Sequence, residues 1–257
     1  MNKVMVGVLA VTMAFLSPVE MSAQGIPTEI VVRVTAHDAK IIGSGVGGAR
    51  VTVVAVETRD TLATGVQQGS TGDTRKIMVN PRERGAAVYD TPGAARFTTE
   101  LLLERPTVVE IIAEGPLDTP HAVQRASKTT LLIPGQPIVG DGIILELLGF
   151  TVVFEAPGQE ILRAGEEFEI RANVTMLCGC PTEPGGMWDA DEMTLVARLL
   201  RDGTQLAEIP LDFTGTTSVY SARTRVDRSG ALEIQVIAMN PSKGNFGMVT
   251  QVVEVRE

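Results

Sequence analysis

Histidine is nearly absent from this chain: its 257 residues hold two, His37 and His121. A Ser-His-Asp site would have to use one of them. The sequence has no G-x-S-x-G and no H-E-x-x-H, so neither a nucleophile elbow nor a zincin helix is indicated. His37-Asp38 closes an expected strand and His121 lies in the loop LDTPHAVQ, and both read as surface residues. The neighbouring carboxylates Asp189 and Asp191, or Glu166 and Glu167, are ordinary company in an acidic chain, and the expectation is a protein that is not an enzyme. Basic residues are also short, at 22 against 31 acidic ones, for a net charge of −9. With no basic stripe and little aromatic surface, such a chain repels phosphate backbones and is not expected to bind nucleic acid. Beyond the N-terminus no apolar run approaches the roughly 20 residues of a spanning helix, so no membrane span is expected.

The N-terminus, MNKVMVGVLAVTMAFLSPVEMSAQG, has the layout of a secretory signal. Lys3 gives a positive start, Val4 to Leu16 form the apolar run, Pro18 breaks it and Ser22-Ala23 offers a small-residue cleavage site. No cysteine follows for a lipid anchor. The expectation is a cleaved signal over 1–23 and an exported protein, periplasmic or extracellular. Removing those residues takes away Lys3 and Glu20 and leaves the net charge at −9.

What remains favours β structure. Polar and apolar residues alternate in EIVVRVTAH (29–37), ARVTVVAVET (49–58), EEFEIRANVTM (166–176) and ALEIQVIAMN (231–240), among others. In the third, Phe168, Ile170, Ala172 and Val174 fall on one face. No window combines helical periodicity with caps at both ends. The division is placed near GFTVVFEAPGQE (149–160), giving two tandem β-sandwich domains, 24–150 and 151–257, in an all-β chain.

The second of these is similar to bacterial immunoglobulin-like domains. TVVFEAP followed by AGEEFEI resembles their opening, and SGALEIQVIAMNPSKGNFG (229–247) their closing hairpin, with Leu232 where an aromatic usually stands and Asn240 in place of an acidic residue. The first resembles the transthyretin-like regulatory domain of carboxypeptidases, through GVGGARVTVVAVETRDTLATG and GAARFTTELLLERPTVVEIIAEG (93–115). That resemblance implies a small sandwich appended to an enzyme, and suggests a hydrolase accessory role as a third reading; the zinc-peptidase body is missing from this chain. Residues 65–92 depart from the pattern as a long polar insertion, a functional loop or a solvated hairpin.

Two stretches invite chemistry. GSGVGG (43–48) has G-x-G-x-x-G spacing, but a nucleotide site needs a helix next and ARVTVVAVET alternates like a strand, so it reads as a β-turn. NVTMLCGCPTEPGGMWDADEM (173–193) holds both cysteines and the only tryptophan. In extended backbone Cys178 and Cys180 point to one side. Three outcomes compete: a Cys178–Cys180 disulfide, favoured by an oxidising compartment; a soft-metal site; and unpaired or inter-chain thiols. The metal candidates are Cys178, Cys180, Met187 and Met193, with Met176 as another thioether, a set suited to copper as Cu(I), or to zinc with a further ligand. The leading functional reading is a non-catalytic envelope or extracellular protein, without cofactor, that binds a protein partner or self-assembles through its β-domains. Edge pairing between chains through TEIVVRVTA or MVTQVVEVRE is one route, and a glycan or the envelope surface is a further candidate partner. The alternative is a periplasmic copper- or zinc-binding protein using the CGC loop.

Overall fold

The period-two alternation is realised as strands that bury every second side chain. A computed structural model describes residues 25–158 and 160–257 of the chain, so the expected leader over 1–23 lies outside the described residues. The first seven strands are β1 (Ile26–Ala36), β2 (Ala49–Ala55), β3 (Thr61–Gln67), β4 (Phe97–Leu103), β5 (Thr107–Gly115), β6 (Gln124–Leu132) and β7 (Ile138–Leu147). They pack as two sheets, β4-β1-β7 and β3-β2-β5-β6. The remaining strands are β8 (Phe150–Ala156), β9 (Leu162–Arg163), β10 (Glu167–Met176), β11 (Thr194–Arg201), β12 (Thr204–Pro210), β13 (Asp212–Phe213), β14 (Val219–Arg225), β15 (Gly230–Asn240) and β16 (Asn245–Arg256). Their sheets are β13-β14-β10-β8 and β12-β11-β15-β16-β9. The chain is therefore all-β, two sandwiches in tandem. Among the described residues no hydrogen-bonded strand pair joins the first seven strands to the rest.

The inward rows are aliphatic: Val109, Ile111 and Ala113 of β5, Ile170, Ala172, Val174 and Met176 of β10, and Leu232, Ile234, Val236 and Ala238 of β15. Burying each larger one stabilises the fold by about 1.5–3 kcal/mol. Proline turns two corners of the second sandwich. Pairing must stop at Pro157, which has no N–H to donate, so the chain leaves β10 as β8 and resumes beside β16 as β9. Gln251 fastens that crossing, its Nε2 donating to the carbonyls of Pro157 and Gly158 at 2.9 Å each. At the opposite corner Pro210 ends β12 against β11, and β13 then pairs with β14.

TEIVVRVTA lies in β1, the middle strand of its sheet, with β4 on one side and β7 on the other. Both edges are taken, so it cannot receive a strand from another chain. MVTQVVEVRE lies in β16 up to Arg256, and β16 pairs with β15 from Asn245 to Val255 and with β9 at Val255 and Arg256.

The insertion after β3 is not a solvated hairpin, because part of it lies as a cover beside β1. Ile77, Ala94 and Ala95 form a small second core with Ile41, flanked by Met78, Val88 and Tyr89. This is why β1 is buried on both faces from Ile30 onward. Two charged groups pin the cover. The fully buried Arg33 guanidinium donates to Asp90 at 2.7 Å and to the Gly140 carbonyl. Asp141 accepts three successive backbone N–H groups, from Val88 at 2.7 Å, Tyr89 at 2.8 Å and Asp90 at 2.7 Å. Asp141 can face the cover because β7 bulges there: the register slips between Ile30 and Val32, and Gly142 turns at φ +72° where a Cβ would stand 2.3 Å from the Val31 carbonyl oxygen.

Candidate functional site

The stretch holding both cysteines forms the joint between the sandwiches. β10 ends at Met176, and the chain reverses through Gly179, whose N–H donates to the Met176 carbonyl at 2.8 Å while the Met176 N–H donates to Cys180 at 3.0 Å. The reversal sets the Cys178 and Cys180 Cα atoms 5.3 Å apart, with their sulfurs at disulfide distance and both side chains buried. Next to them Thr182 is buried and satisfied: its hydroxyl donates to the Val174 carbonyl at 2.6 Å and meets the Tyr220 hydroxyl at 2.9 Å. Thr182 has one hydroxyl proton, so Tyr220 is the donor of that second bond. Asp189 then organises the tip, accepting from Gly185 N–H at 2.8 Å and Asp191 N–H at 2.9 Å. Those bonds, Asp191 first, hold its carboxyl below the usual carboxylate range.

From this loop and its neighbours, side chains reach the first sandwich. Trp188 is buried and its indole N–H donates to the Asp38 carbonyl at 3.0 Å. Lys243, in the turn between β15 and β16, donates to the Asp38 carboxylate at 2.6 Å and stands 3.4 Å from Glu192. The hydrogen bond to Asp38 raises its ammonium above the ordinary value, against an opposing effect of burial. Asn245 accepts from Gly149 N–H at 2.8 Å and donates to the His37 carbonyl at 3.4 Å. The GSGVGG turn comes to the joint too: a Cβ on Gly179 would lie 2.8 Å from Val46. That turn is a single 3-10 turn over Ser44–Val46 running into β2, so it has no helix for a phosphate.

Both histidines stand at this joint. His121 Nε2 is 2.8 Å from the Val152 carbonyl, and His37 Nδ1 is 3.0 Å from Glu146. The apolar core continues through the joint, taking in Ala36 and Leu147 on one side and Phe150, Met176 and Trp188 on the other.

Two hollows open here. The smaller, about 180 Å³, is lined by Met176, Met187, Trp188 and Met193, with Asp38 and Lys243 at its polar side. The larger, about 430 Å³, is lined by His37, Met78, Arg82, Tyr89, Glu146 and Lys243. The four residues named as metal candidates are thus divided: Met187 and Met193 face the smaller hollow together with Met176, whereas Cys178 and Cys180 do not line it. Asp38, Lys243 and Asn245 escaped the sequence reading. Each stands in or beside a turn, an ordinary polar residue there, and their partners are far away in the chain.

No family model matches the chain, and no curated protein matches it. Solved structures do. An engineered protein is 14% identical over 49% of this chain, which spans only 24% of that protein, with a TM-score of 0.31. The fibronectin(III)-like modules of Clostridium thermocellum CbhA are 12% identical, covering 90% of this chain and 93% of theirs at a TM-score of 0.28. Dpr2 Ig1-Ig2, solved in complex with DIP-Theta Ig1-Ig3, is 12% identical, covering 90% of this chain and 100% of its own at 0.30. Scores this low say nothing about role. The sandwich assignment rests on the strand order above.

Proposed function

We propose that this is an exported, non-catalytic protein of the cell envelope or its exterior, which binds a protein partner or assembles through its β-sandwiches. One observation carries the reading: an apolar row on the outer face of the five-stranded sheet. Phe246 and Met248 are each 50% exposed; farther along β16, beyond Thr250, Val252 is 65% exposed and stands across from Glu233. Cross-strand pairing sets Met239 beside Phe246, and Ile237 beside Met248, on that same face. Contiguous apolar surface of this kind marks interaction sites more often than it occurs idly. For the first sandwich we retain the transthyretin-like resemblance, supported by the Gly48 turn before Ala49–Val51 and by Phe97 opening β4. Export is supported by the leader pattern alone.

A photo-crosslinking residue in place of Met248, in cells that make the protein, tests both parts. The expected result is a mature chain beginning near Gln24 that crosslinks to a partner or to itself, and loses the crosslink when Phe246→Glu is added. A leader still attached, or no crosslink from this face, would refute the proposal.

A further inference from the structure

Six methionines lie among the described residues, and three of them, Met176, Met187 and Met193, line one hollow of about 180 Å³. They arrive separately: Met176 from the end of β10, Met187 from the glycine-rich tip, and Met193 from just after the 3-10 turn Ala190–Glu192. We propose that this hollow binds one soft monovalent cation, Cu(I), through the three thioethers. The inference is independent of the binding face on the five-stranded sheet.

Thioether sulfur is neutral, polarisable and needs no deprotonation. It suits Cu(I) or Ag(I), and offers little to Zn(II) or Ca²⁺, which favour charged or oxygen-rich sets. The surroundings favour a cation. Asp38, Asp189 and Glu192 line the hollow against the single ammonium of Lys243, which is itself paired with Asp38 and Glu192. Trp188 also lines the hollow. Access and depth are both provided, since Met187 is 51% exposed at the surface and Met176 is 2% exposed at the floor. The two cysteine sulfurs stand at bonding distance from each other and outside the lining, so the ion's hold does not depend on free thiols.

The test is titration of the full mature chain with Ag(I), and with Cu(I) held by ascorbate against a chromophoric Cu(I) chelator. Emission from Trp188, the only tryptophan, reports on the hollow directly. One equivalent should bind and quench Trp188, while Zn(II) leaves the emission unchanged. Met187→Leu and Met193→Leu keep volume and apolarity. Each should weaken Cu(I) by at least about tenfold, because each removes one soft ligand of three. Thermal unfolding of these variants checks that the fold is kept. The double variant Cys178→Ser/Cys180→Ser should bind as the parent does. Failure to take Cu(I) from the chelator, affinity unchanged in Met187→Leu/Met193→Leu, or loss of binding in the folded serine variant would each overturn the proposal.

Discussion

Replacing Asp141 by alanine should free the cover on β1. The carboxylate collects three N–H groups at 2.7–2.8 Å and lies beside the buried Arg33. A hydrogen bond to a charged group nets about 1.5–3 kcal/mol. Three bonds to one half-buried carboxylate do not add, and water can replace the outermost, so the expected loss is about 3 kcal/mol. That loss falls on the opening of residues 73–93 rather than on the sandwich as a whole. Trypsin reads it at Arg75, Lys76, Arg82 and Arg84, all within the cover. Where opening precedes cleavage, the rate should rise about a hundredfold. pH should act through the same group. Burial pushes the Asp141 carboxyl up, but the N–H groups of Val88, Asp90 and Tyr89, with Arg33, outweigh it and hold it below the usual carboxylate range. A depressed carboxylate contributes its stability above the unfolded value and loses it as pH falls through the folded one. The cover of the parent should therefore stay closed at neutral pH and open only below about pH 4, where an acid-active protease should begin to cut within residues 73–93. A cleavage rate within threefold of the parent in Asp141→Ala would refute the reasoning.

Gly48→Ala should cost at least about 2 kcal/mol, since φ is +70° and the new Cβ would stand 2.2 Å from the Gln67 carbonyl oxygen; chemical denaturation measures it. Thr182→Val removes the acceptor of Tyr220 and the donor to Val174 together, so it should lose about 1–3 kcal/mol, more than the roughly 1 kcal/mol expected for Tyr220→Phe. Equal losses would show that the two hydroxyls are not linked as described. Lys243→Met should lower stability by less than about 1 kcal/mol, because its ion pairs are well exposed, and 0.5 M salt should erase most of the difference between the proteins.

Alternation alone determined the strand content of this protein, because a half-buried strand must place apolar side chains at every second position. β10 and β15 could be read almost residue by residue on that ground. The strand pattern of ARVTVVAVET directly after it likewise marked GSGVGG as a turn, and the rarity of histidine argued against a triad. Where the burial was not one-sided, the reading failed. β1 is covered on both faces, so its alternation gave no hint that it was an inner strand, nor that the polar stretch beyond β3 would fold onto it. Only the tertiary structure placed the cysteine loop at the joint between the sandwiches. Local spacing put Cys178 and Cys180 on one side of the chain, but the Trp188–Asp38 and Lys243–Asp38 contacts join residues 150 and 205 positions apart. No local pattern encodes such pairs, since each side chain is an ordinary polar or aromatic one until the fold brings its partner. The same holds for Met176, Met187 and Met193, whose grouping around one hollow depends on three separate backbone paths arriving at the joint.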